Sequence, residues 1–139
     1  MTLSRAALKG AILACLDSLG SRHALGHQGA YASRYTLRSD HGATIEVMFE
    51  KGEKSPANLW VRADQASALE GGPIPLRRSP AATLYQKPSK TGGRSYGRHS
   101  ALEPMPLLGR ADLLCLALRS VEDLDRVMAV LMQARRDAA

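Results

Sequence analysis

Between positions 31 and 62 the chain alternates apolar and polar residues in three short runs, and nothing else in the sequence narrows the fold as much. In the first run Tyr31, Ser33, Tyr35 and Leu37 point to one side of an extended chain, with Ala32, Arg34, Thr36 and Arg38 opposite. Positions 39–42, SDHG, are dense in turn formers. Beyond them Ile45, Val47 and Phe49 alternate with Thr44, Glu46, Met48 and Glu50. A period of two on either side of a short glycine-containing loop predicts a β-hairpin. KGEKSP, 51–56, makes the next turn, after which Leu59 and Val61 face one way and Trp60 and Arg62 the other. A three-strand meander with an apolar face needs a covering layer.

The two ends of the chain supply it. Leu8, Ile12, Cys15, Leu16 and Leu19 recur at helical spacing, with Thr2 or Ser4 to cap the start and Gly20 where a left-handed residue commonly ends a helix. Near the other end, DLLCLAL (112–118) is the continuous apolar run of a strand buried on both faces. Ser120 then opens a helix whose stripe is Val121, Leu124, Val127, Met128 and Leu131. Ser120 and Asp123 resemble a capping box, and Arg135 and Arg136 fall at the favourable end of the helix dipole. Trp60 is expected to pack against a covering helix.

The expectation is therefore an α+β fold over 1–139 as one domain. It has a four- or five-stranded, mostly antiparallel sheet, with the N- and C-terminal helices on one face and a long Pro/Gly-rich loop over about 71–111. That loop holds six of the seven prolines. A short helical turn at 64–70 and a short strand at 82–85 are the most its neighbourhood supports. At 139 residues, 45% of them hydrophobic, the chain can bury a core without staples. Cys15 and Cys115 each sit in an apolar run with no ligand-spaced partner, which reads as two buried thiols in a reducing compartment. Arg5 and Lys9 before AILACL imitate a signal peptide, but six apolar residues are too few for one and far too few for a membrane span. A cytoplasmic location is the expectation.

The net charge of +6 is localised. Arg77, Arg78, Lys87, Lys90, Arg94 and Arg98 lie in a stretch, 71–102, with no acidic residue, and the other 13 Lys and Arg are balanced by 13 Asp and Glu. With Tyr96 as a stacking face, this segment predicts a grip on nucleic acid or another polyanion. The competing view is a solvated loop kept soluble by its charge. TGGRSYGRHSAL, 91–102, has the Gly92–Gly97 spacing of a phosphate-binding loop but lacks the following Lys-Ser/Thr, and Pro104 and Pro106 interrupt any helix after it. His99 beside Arg98 is the best candidate for acid–base chemistry, so an alternative is a small phosphodiester- or nucleotide-directed enzyme. A third reading is an interaction subunit whose loop orders on a protein partner.

Other motifs are weaker. Asp40 with Glu46 or Glu50 could supply the acids of a magnesium nuclease, but no Glu-x-Lys or Asp-x-Lys follows. His23 and His27 have the i, i+4 spacing of a metal pair, yet Gly26 and Gly29 disfavour a helix there. No cofactor and no metal are therefore expected.

Overall fold

The alternating runs pair as their period requires. In the computed structural model, which describes residues 3–85 and 92–136, β2 (Ala32–Arg38) and β3 (Thr44–Glu50) form the hairpin in the register Arg38 to Thr44 and Ala32 to Glu50. The other elements are α1 (Arg5–Leu19), β1 (Ser21–Arg22), β4 (Asn58–Arg62), β5 (Leu76–Ser79), β6 (Leu113–Ala117) and α2 (Val121–Leu131). The sheet has six strands in the order β1-β2-β3-β4-β6-β5, every neighbour antiparallel. Two more strands than the clearest patterns show come from Ser21–Arg22 and Leu76–Ser79, edge pieces of two and four residues. Pieces so short leave no period to read. The strand expected at 82–85 is absent: Ala81–Thr83 is a 3₁₀ turn. The helical turn expected at 64–70 is two 3₁₀ turns, Ala63–Gln65 and Ser67–Leu69.

Both helices cover one face of the sheet. Leu8, Ile12 and Leu16 of α1 and Leu124, Val127 and Leu131 of α2 meet Tyr35, Leu37, Ile45, Val47, Phe49, Leu59, Val61, Leu114 and Leu116. The Ser4 hydroxyl caps α1 by accepting from the Ala7 N–H at 3.1 Å. Gly20 is extended (φ −121°) rather than left-handed, and glycine serves close packing there. A Cβ would lie 3.2 Å from both the Leu37 side chain and the Thr36 carbonyl. Ser120 caps α2 as expected, accepting from the Asp123 N–H at 3.2 Å. The Asp123 carboxylate reaches one residue beyond the cap, to the Arg119 N–H at 2.9 Å and to its guanidinium. The helix ends at Leu131, so Arg135 and Arg136 lie past it instead of in its last turn. The Arg135 backbone bridges to His41 and Gly42 of the hairpin turn.

The second face is where the sequence reading fails. Trp60 packs against neither α1 nor α2. Ala32, Met48, Trp60, Leu113 and Cys115 are roofed by Ala101, Leu102, Met105 and Leu108 from the segment expected to be a long loop. Positions 98–110 thus form a lid over a second, smaller core. Buried polar groups fasten it, each with a partner, as burial demands. Glu46 accepts from the Leu107 and Leu108 N–H groups at 2.8 and 3.1 Å and from His23 Nε2 at 2.6 Å. His23 Nδ1 accepts from the Leu25 N–H, so the ring proton sits on Nε2 and donates to the carboxylate. Arg34 donates from Nε to the Ala101 carbonyl at 2.8 Å. Cys15 packs on the helix side of the sheet and Cys115 under the lid, and both are free. Among the described residues no helix is long and apolar enough to cross a membrane.

Candidate anion-binding site

The lid decides where the segment's arginines go. Arg98, at the start of the lid, is a hub. Its Nη2 donates to the Ser79 and Ala111 carbonyls at 2.6 and 2.7 Å, its Nε to the Ser79 hydroxyl at 2.8 Å, and its Nη1 more weakly to the Leu108 and Gly109 carbonyls. A guanidinium carries five N–H donors, and here each hydrogen-bonding nitrogen has a partner inside the protein. Tyr96 is half-buried with its hydroxyl on the Gly109 carbonyl at 2.7 Å, and its ring lies against Tyr85 at a 57° tilt. Burial raises its pKa above the ordinary phenol value. His99 Nδ1 accepts from the Ala101 N–H and caps the 3₁₀ turn Ser100–Leu102. No carboxylate stands within hydrogen-bond reach of its ring among the described residues.

The remaining candidates separate. Arg77 is exposed and lies over the Trp60 ring at 5.3 Å, while Arg78 pairs with Glu70. Arg94 is exposed at the surface. Lys87 and Lys90 lie outside the described residues. Gly92 and Gly93 take positive φ, but Gly97 sits against the Leu84 carbonyl and a 3₁₀ turn follows, so the stretch lacks the helix N-terminus of a phosphate loop. Glu50 accepts from Trp60 Nε1 at 2.7 Å, and His27 Nδ1 from the Arg34 N–H. Of the acids and histidines considered for metals, His23 and Glu46 pair with each other, while Glu50 and His27 are engaged by Trp60 and the Arg34 backbone. Among the described residues no three His, Cys, Asp or Glu converge.

Topology builds a different cationic surface. Antiparallel order brings the ends of β2, β4 and β5 and the starts of β3 and β6 to one end of the sheet. Arg38 is the last residue of β2 and Arg62 the last of β4, while Arg78 is near the end of β5 and Arg110 precedes β6. The chain after α2 is drawn to the same place. The Ser39 hydroxyl donates to the Ala134 carbonyl at 2.6 Å, and the Asp40 N–H to the Met132 carbonyl at 2.9 Å. Arg38, Arg62, Arg135 and Arg136 then line a cleft of about 340 Å³ floored by Gly42, Ala43 and Thr44. A second depression, of about 480 Å³, shares Arg62 and adds Arg78 and Arg110.

The chain matches no family model, no curated protein and no solved structure. Six arginines border the two depressions against two carboxylates, Asp64 and Asp112. Asp64 holds Arg62 Nε at 3.0 Å, and Asp112 accepts from the Ala81 N–H at 2.8 Å. The cleft's own lining has no acid. Of this surface the sequence reading named Arg78 alone as an anion contact, because the members lie in five separate stretches of chain. The Arg135–Arg136 doublet was a further visible hint, assigned instead to the helix dipole.

Proposed function

We propose that the protein is a small binding module for a phosphate-bearing polyanion, nucleic acid foremost, and that the contact surface is the arginine-lined end of the sheet. A single observation carries this reading: arginines from five separate stretches gather on two depressions joined at Arg62, and the cleft holding four of them is acid-free. Guanidinium groups take phosphates in paired hydrogen bonds and gain affinity by releasing counterions. Arg62 and Arg78 already hold Asp64 and Glu70, so a phosphate there competes with a carboxylate. Arg38, Arg135 and Arg136 are thus the residues from which most of the affinity should come. Arg77, beside Arg78 on the edge strand, adds to the field. Of the residues first favoured in 71–102, Arg98 and Tyr96 serve the lid in this reading. Two free cysteines suit a reducing compartment, and we assign the protein to the cytoplasm.

The test holds net charge constant. The double variant R38Q/R136Q should bind an oligonucleotide at least about tenfold more weakly, since hydrogen bonds to charged groups are worth roughly 1.5–3 kcal/mol each. R5Q/R126Q removes the same charge from exposed helix positions and should cost less than about twofold. Equal losses in the two variants would show that net charge, and not the cleft, attracts the ligand.

A further inference from the structure

An apolar groove adjoins the arginine cleft. It runs between the C-terminal half of α2 and the 3₁₀ turns Ala63–Gln65 and Ser67–Leu69, with a volume of about 700 Å³. Ala68, Ala129, Val130 and Ala134 give it an aliphatic floor, and Asp64, Ser67 and Gln133 stand on its polar rim with Gln65 and the two arginines. Gln65, Arg135 and Arg136 border both the groove and the cleft, so a ligand whose phosphates rest on the arginines has the groove within reach of its next group. Ligand pockets commonly span about 300–1,000 Å³, which a nucleotide fits.

Gln65 narrows the choice of that group. Its Nε2 donates to the Thr44 carbonyl at 3.1 Å, which fixes the carboxamide, and its Oε1 is buried with no partner among the described residues. A buried acceptor left unpaired is destabilising, and a ligand N–H that reaches it on a small parting of the wall removes that penalty. An acyl chain offers no such donor; a nucleobase with an exocyclic amine does, on a flat body that the aliphatic floor can cover. We propose that this groove receives the base of a nucleotide whose phosphates lie on Arg38, Arg135 and Arg136. The proposal deepens the polyanion reading and rests on it.

The experiment compares a single-stranded adenine oligonucleotide with an abasic one of equal length, so that phosphate number is constant. The adenine strand should bind about tenfold more tightly, the scale of one base contact. Ala129→Met and Ala68→Met fill the groove from exposed positions without changing charge. Each should erase that difference while leaving the abasic affinity unchanged, and Gln65→Met should shrink it. Equal affinity for the two strands in the native protein, or variants that weaken both strands alike, would overturn the groove assignment while leaving anion binding intact. No binding of either strand at low salt would remove the polyanion reading and the groove with it.

Discussion

Replacing Arg98 by alanine should destabilise the protein by about 3 kcal/mol and leave oligonucleotide affinity almost unchanged. Three of its hydrogen bonds are short, 2.6, 2.7 and 2.8 Å, and come from a charged donor. Bonds of that kind are worth roughly 1.5–3 kcal/mol each, about 4.5–9 kcal/mol together. The side chain is half-buried, so water replaces part of this once the head is gone, and about 2 kcal/mol of side-chain entropy is recovered. The balance of about 3 kcal/mol should lower the thermal midpoint by roughly 10 °C in a domain of this size. Urea unfolding read by Trp60 fluorescence measures it, because that ring lies directly under the lid. Hydrogen exchange should quicken first at the Met105 and Gly109 amides, which bond within the lid. Arg98→Lys should recover less than half, since an ammonium cannot reach acceptors arranged for a planar fork. A loss below about 0.5 kcal/mol, the range of an ordinary surface substitution, would refute the hub. A large loss of ligand affinity at unchanged stability would do the same.

Three further outcomes follow from the packing. Gly109→Ala should destabilise by about 2–4 kcal/mol in the same urea assay, because a Cβ would stand 2.6, 2.8 and 2.9 Å from the Glu103, Met105 and Leu102 carbonyl oxygens; a neutral result would mean that the lid takes another path. The Arg119 guanidinium holds the Asp123 carboxyl below its ordinary value against the opposing effect of burial, so its stabilisation is complete above pH 3.8 and is lost as pH falls further. Asp123→Asn should accordingly be destabilising at pH 7 and converge with the native protein in acid, and a gap that persists in acid would contradict the assignment. Burial pushes the Cys115 thiol up to about 12, so at pH 8 a thiol reagent should modify the half-buried Cys15 and spare Cys115 until the protein unfolds. Two rapid equivalents would mean that the lid opens readily.

The parts of this fold legible in the sequence were those with a strong period. Alternation placed Ile45, Val47 and Phe49 toward the helices, and the continuous run in β6 told of a strand covered on both sides, which it is. The lid was hidden because Pro104 and Pro106 argue against regular structure, so the segment read as one long loop. Leu102, Met105 and Leu108 recur every third residue, and that winding, tighter than an α-helix, was the available signal. Linear charge counting has a related blind spot. Counting charges along the chain treats Arg98 as an exposed cation, although its guanidinium is engaged by backbone carbonyls and the Ser79 hydroxyl. It also cannot see Arg38, Arg62 and Arg136 as neighbours, since antiparallel pairing and the tail after α2 bring them together.

The salt dependence of binding is the most direct measurement. With four arginines on phosphates of a single strand, the slope of log affinity against log salt should be about −3, and in the variant R135Q/R136Q it should fall in magnitude by about 1.4. An unchanged slope in that variant, or a slope near zero in the native protein, would contradict an arginine cleft that binds phosphate.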